Sequence, residues 1–304
     1  MAALSNALAA ARSGAAVGPV LERGLLRLTG KDHQDFLHRM STQRVNGLGP
    51  GAAVHAAFLN VKGHVLAEGR VALREGDALV EVHPVDAGPL REHLLAYVIM
   101  DEVEVEDVSA AFRIVPVLGP GGAALARARL AGRSAWENTR RGVPALDVLA
   151  PPGDAEAFRA ERGAAGAAER SEADLEALRV EAGLPRSGAE VDRSRLPMEA
   201  ALVASAISFD KGCYLGQEVV LRGTFRGQMQ KGLVQLALPP GAGAGAVLRA
   251  GEQEVGVVTS AADTPEGRLG LGYLRRAHWK EGARLATTGG EAVVRRVLVT
   301  ERDG

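Results

Sequence analysis

The stretch Ile207-Ser208-Phe209-Asp210-Lys211-Gly212-Cys213-Tyr214-Leu215-Gly216-Gln217-Glu218 holds the only cysteine of the 304-residue chain, two positions from Lys211. If the backbone here is extended, both side chains leave on the same side, and a nearby ammonium favours the thiolate. Gly212 and Gly216 permit close backbone approach or a positive φ. A helix beginning within Gly216–Leu221 would act on the thiol in the same direction through its N-terminal amides. The plain alternative is a small buried thiol in a glycine-punctuated turn.

Upstream lies a second dense block, Arg179-Val180-Glu181-Ala182-Gly183-Leu184-Pro185. Ser171-Glu172-Ala173-Asp174 resembles a capping box with Asp in place of Glu or Gln, and it opens a helix that Gly183 and Pro185 stop. Glu181 therefore falls in a last helical turn, where the dipole disfavours an acid. Either it has a specific partner, such as an Arg or an amidine-like heterocycle edge offering paired N–H donors, or it is a frayed, solvated Glu.

Further out, Leu25–Leu28, Val54–Leu59, His64–Leu73 and Ala78–Val82 read as strands, with Asn60-Val61-Lys62-Gly63 as a tight hairpin connection. Phe112–Leu118 and Val143–Leu149 are further strands, and 31–40, 86–97 and 154–162 read as helices. From Lys231 onward the texture changes. Leu233–Leu238, Val255–Thr259, Leu269–Leu274 and Val293–Val299 are short strands with no helix between them, the pattern of a small closed barrel or sandwich. The expected division is an α+β region over 1–230, in two interleaved lobes of about 1–110 and 111–230, and a C-terminal β-barrel domain over 231–304.

Composition narrows the function. Lys and Arg number 36 against 37 Asp and Glu, a net charge of -1, so no global basic field gathers nucleic acid or anionic lipid. No apolar run approaches the roughly 20 residues that span a bilayer, and Met1–Val20 lacks the basic start and apolar stretch of a signal peptide. A cytoplasmic protein is expected. One cysteine excludes an intramolecular disulfide, an all-Cys zinc site and a self-contained iron–sulfur site. The seven histidines show no helical metal spacing, and no nucleophile-elbow motif supports a Ser–His–Asp triad. Gly241–Ala246 precedes a strand rather than a helix, so it reads as a loop and not a dinucleotide fingerprint. Gly119–Gly122 reads as a tight turn.

Lys211–Glu218 resembles the signature octapeptide of the YgfZ-type folate-binding proteins, relatives of the glycine-cleavage aminomethyltransferase. Gly30-Lys31-Asp32 with Phe36-Leu37, the Asn60–Gly63 hairpin, Arg179–Pro185 with Gly188 and Glu190, and Pro197, Glu199 and Ala200 resemble further blocks of that family. The region after 230 resembles its C-terminal barrel. The resemblance implies a GcvT-like folate-binding fold of three lobes around a central channel. It implies tetrahydrofolate, or a one-carbon derivative, as cofactor, with Glu181 accepting hydrogen bonds from the pterin edge and Asn60 contacting the folate. Arg222, and after it Arg226, are candidates by charge and placement for the anionic glutamyl tail. Cys213 and Lys211 are the expected reacting groups, and Gly212, Tyr214, Gly216, Gln217 and Glu218 complete the signature.

Aligning on Asn60 and Gly63 places Ala67-Glu68 where the aminomethyltransferase carries paired aspartates. The first acid is gone and the second is longer, which argues against glycine cleavage. The resemblance implies instead a role in assembly or repair of iron–sulfur enzymes, including enzymes that modify tRNA. Cys213 would then be a transient ligand or the carrier of a one-carbon or sulfur adduct. The expected partners are folate and iron–sulfur client enzymes, with no direct nucleic-acid or membrane contact. Two other functions stay open: a folate-dependent aminomethyltransferase acting on a glycine- or sarcosine-like methylamine, and a non-catalytic adaptor for client proteins.

Overall fold

The computed structural model describes residues 2–225 and 229–299. Strands Ala53–Leu59, Val65–Arg74, Asp77–Val82, Gly24–Thr29 and Glu104–Asp107 form one antiparallel sheet in that spatial order. The two-residue period of a strand sorts its side chains. Ala56, Phe58, Ala67, Val71 and Val80 join Phe36, Leu37 and Met40 of the helix His33–Met40, and Leu90 and Leu94 of the helix Pro84–Leu95, in one core. The same period sends His55, Glu68, Arg70 and Glu81 to the opposite face. There Arg70 stands in register with His55 on one side and Glu81 on the other.

A second sheet has the order Ala168–Glu169, Ala16–Val17, Arg113–Leu118, Ala145–Ala150 and Ala135–Glu137. Ala16–Val17 pairs antiparallel with Arg113–Leu118, so residues 16–17 belong to the second sheet rather than the first. Before it, the Ala-rich opening folds as a helix, Ala2–Ser13, which buries Leu8 and Ala11. The helix Glu172–Ala182 begins at the expected capping box, with Ser171 Oγ accepting from the Asp174 amide and the Asp174 carboxylate accepting from the Ser171 amide. It ends at Gly183, whose φ of 74° is the left-handed turn that glycine tolerates. Its buried Ala177, Leu178 and Val180 share a core with Leu271 and Tyr273, so the helix seats on the third unit.

That unit is a closed antiparallel barrel of six strands, running in space Lys231–Ala237, Gly267–Arg275, Gln253–Thr264, Val247–Ala250, Arg284–Thr287 and Gly290–Val297. Val234, Leu236, Leu248, Val258, Leu274 and Val294 are among the residues of its interior. The fold is thus mixed α and β with a C-terminal barrel, as the sequence leads one to expect. Two barrel strands escaped the sequence reading. Val247–Ala250 and Arg284–Thr287 are four residues each and too short to show a period.

Candidate functional site

The signature loop is pinned to the first lobe from both ends. Ahead of the cysteine, Ser208 N donates to Thr42 O at 2.9 Å and Thr42 Oγ1 donates to Ala206 O at 2.6 Å. Lys211 is buried, and its ammonium donates to three carbonyls, those of His38, Ser41 and Gln43. The ammonium thus closes the C-terminal end of the helix His33–Met40, where cations are favoured. Burial pulls its pKa down to about 8. It also lies 5.1 Å from the centre of the Tyr214 ring, whose hydroxyl burial pushes up to about 12. Cys213, by contrast, is exposed. The ammonium expected to assist the thiol is therefore occupied elsewhere: one side chain faces the interior and the other faces solvent.

Behind the cysteine, the hairpin Asn60–Gly63 packs on the start of the helix Gln217–Phe225. Gly216 has φ +80°, and a Cβ there would lie 2.8 Å from Asn60 O. A Cβ on Gly63 would lie 2.7 Å from Val219 Cβ. These two glycines let hairpin and loop meet backbone to backbone. Gly212 has open space around it. Asn60 turns its Oδ1 inward to its own hairpin, accepting from the amides of Lys62 (2.9 Å) and His64 (3.1 Å). The backbone N–H of Gln217 donates to Tyr214 O at 3.2 Å. Glu218 and Arg222 are exposed and pair with each other at 2.7 Å. Arg226 lies outside the described residues.

Glu181 does have a specific partner. Both its oxygens accept from the guanidinium of Arg12, on the N-terminal helix. Its backbone carbonyl accepts from Gln235 Nε2 of the barrel at 2.8 Å. Asn60, Glu181 and Cys213 are thus held by three different sets of neighbours.

The charged face of the first sheet opens into a polar cleft that the sequence reading missed. One cavity of about 110 Å³ is lined by His55, Glu68, Arg70, Glu81, Arg140 and Arg141, among others. A second, of about 490 Å³, shares Arg140 and Arg141 and reaches His83, Glu176 and Arg179. Most of these arginines are neutralised on the spot. Arg23 meets Glu81 at 2.9 Å, Arg141 meets the fully buried Asp147 at 2.7 Å, and Arg179 meets Glu176 at 2.6 Å and Glu190 at 2.8 Å. Arg140 instead donates to Pro185 O at 2.6 Å and feels Glu68 only at longer range. Burial lowers its pKa. Arg70 Nε and Glu81 Oε2 are buried without a partner, which marks the small cavity as polar and incompletely satisfied. The available signal was the presence of His55, Glu68, Arg70 and Glu81 inside otherwise apolar strands.

At the positions aligned with paired aspartates, Ala67 is buried in the sheet core and Glu68 is bound to His55 Nε2 at 2.7 Å and to Ser187 N at 3.2 Å. Among the described residues, no group of three or more His, Cys, Asp or Glu side chains is placed to hold a metal ion. Nor is any described helix long and apolar enough to cross a membrane.

No family model matches the chain. Over 269 residues it is 31% identical to the tRNA-modifying protein YgfZ of Cronobacter sakazakii, covering 81% of this chain and 80% of that one. Over 295 residues it is 29% identical to the mitochondrial iron–sulfur cluster assembly factor IBA57 of Mus musculus, covering 81% and 78%. Among solved structures it resembles the glycine cleavage system aminomethyltransferase T of Bartonella henselae, with a TM-score of 0.81 over 98% of this chain and 90% of that one. At 22% identity that likeness speaks for the fold alone.

Proposed function

Because the chain belongs to the YgfZ family, we propose that it binds a reduced folate and supports the assembly or repair of iron–sulfur enzymes, with Cys213 as the reacting or transiently ligating group. The observation that carries this reading is the placement of the sole thiol. Cys213 is exposed on a loop fixed by Lys211 on one side and by Gly216 on the other. A thiol held in one place but open to solvent is suited to meet a second protein. One sulfur supplies one ligand, so a cluster would be held mainly by the client, or Cys213 would carry a one-carbon or sulfur adduct.

We assign the folate to the cavity next to Glu181 that Arg140, Ala182 and Gly183 line. Its pterin edge would reach Glu181 by displacing Arg12, because a guanidinium and an aminopyrimidinone offer a carboxylate the same paired N–H donors. Asn60 would contact it from the hairpin. Arg222 is already paired with Glu218, so we assign the countercharge for the glutamyl carboxylates to Arg140, which lines one cavity with Ala182 and Gly183. Iron–sulfur enzymes are the proposed partners and the cytoplasm the proposed compartment. Against the aminomethyltransferase alternative stands the position of Glu68, bound on both oxygens.

The test is rescue of a strain that lacks its YgfZ protein. Wild type is expected to restore the activity of an iron–sulfur tRNA-modifying enzyme, and Cys213→Ala to fail while melting at the wild-type temperature. Full rescue by Cys213→Ala would reassign the thiol to packing and favour a non-catalytic adaptor.

A further inference from the structure

Two side chains on neighbouring strands of one hairpin and a third on the short helix Val203–Ala206 form a hydrogen-bonded line. Glu68 Oε2 lies 2.7 Å from His55 Nε2, and His55 Nδ1 lies 3.1 Å from Ser205 Oγ. The Glu68 and His55 side chains are 10% and 7% exposed. A carboxylate so placed takes the proton-bearing nitrogen of the imidazole, which leaves the lone pair of Nδ1 facing the serine hydroxyl. Both links fall within the reach that base-assisted nucleophilic attack requires. The order is nucleophile, base and orienting carboxylate, with the two ring nitrogens exchanged relative to the serine-protease arrangement.

The surroundings fit the same chemistry. Ser205 is half-exposed and lines a cavity of about 300 Å³ with Arg140, Pro185 and Arg296. Arg140 Nη1 lies 3.5 Å from Ser205 Oγ, a guanidinium beside the point where an oxyanion would form. Two arginines on one small cavity favour a substrate that carries a negative charge.

We propose that Ser205 is an acyl-accepting nucleophile, activated by His55 and oriented by Glu68, that hydrolyses small carboxylic esters or thioesters bearing an anionic group. Ser205 Oγ bonds to the acyl carbon while its proton passes to His55 Nδ1. The leaving alcohol or thiol takes that proton as its bond to the acyl carbon breaks. Water then repeats the sequence on the acyl-serine, which releases the carboxylic acid and restores the hydroxyl. The sum is ester plus water giving acid plus alcohol, with no redox partner. This inference does not rest on folate binding, although it draws on the same cavity and the same Arg140 as the folate reading.

The experiment treats the full chain with an alkyl fluorophosphonate and locates the adduct by mass spectrometry. The expected result is one adduct on Ser205, absent from Ser205→Ala and formed at least tenfold more slowly by His55→Gln. Hydrolysis of p-nitrophenyl succinate gives a readout that does not depend on the folding of the His55 variant. Wild type should exceed Ser205→Ala at least tenfold, and should prefer the succinate to the uncharged acetate ester. No adduct on folded wild type, an adduct elsewhere, or equal hydrolysis by wild type and Ser205→Ala overturns the proposal.

Discussion

Lys211 answers a packing question before any chemical one. Its ammonium is the donor for the carbonyls of His38, Ser41 and Gln43, and its removal leaves buried acceptors unmatched. Lys211→Met should cost about 2–4 kcal/mol in urea unfolding, whereas a lysine serving only the exposed thiol would cost almost nothing. The glycines of the signature separate in the same way. Gly216→Ala meets Asn60 O at 2.8 Å with φ at +80° and should lower stability by roughly 1–3 kcal/mol. Gly212→Ala, with open space around it, should stay within about 0.5 kcal/mol. Thermal melts of the two variants side by side check the pair.

The buried pair His55 and Glu68 sets a pH dependence whose sign can be worked out. Burial, with the charge of Arg140, pulls His55 from 6.5 to about 4 despite Glu68; Arg70 adds to the pull. Burial raises Glu68, but the hydrogen bond and charge of His55, with Arg140, outweigh it and take the carboxyl from 4.5 to about 2. In both windows the unfolded chain holds more protons than the folded one. Stability is therefore complete above pH 6.5 and declines as pH falls through 4 towards 2, by up to roughly 1.4 kcal/mol per unit for each group. Melting at pH 7.5 and pH 5 should show a clear loss for wild type and a smaller one for His55→Gln. Equal losses would place the titration elsewhere.

Among the elements, those with a period were legible and those without were not. The strand Val54–Leu59, the capping box at Ser171 and the barrel strand at Leu269 announce themselves through alternation or a cap. Val247–Ala250 and Arg284–Thr287 are too short to do so, and the Ala-rich Ala2–Ser13 carries little apolar contrast. The candidate site was legible where backbone chemistry fixes it, at Asn60–Gly63 and Lys211–Glu218. It was only half legible where a second lobe covers a sheet face: His55, Glu68, Arg70 and Glu81 stand out inside apolar strands, but a solvated face would show the same residues, and only the tertiary fold turns that face inward. Glu181 is intermediate. Its awkward position at a helix end signalled a partner, but Arg12 comes from a helix the sequence did not reveal. That ion pair is partly exposed, 41% on Arg12 and 26% on Glu181, so it is worth at most about 1 kcal/mol. If the pterin uses Glu181, Arg12→Ala should tighten folate binding by up to about fivefold, read as a shift in Kd. Weaker binding would make Arg12 a folate contact rather than a competitor.

At the scale of the whole molecule, two sheets and a barrel enclose polar cavities lined by charged side chains from distant parts of the chain, and Cys213 stands exposed on a loop that packs on the Asn60–Gly63 hairpin. The pterin edge is assigned to Glu181 and the thiol chemistry to Cys213, which have different neighbours, so the two should fail separately. The most direct measurement is calorimetry of the full chain with tetrahydrofolate. The account predicts saturable binding near one to one, at least tenfold weaker in Glu181→Ala and unchanged in Cys213→Ala. No heat with wild type, or an unchanged Kd in Glu181→Ala, would contradict it.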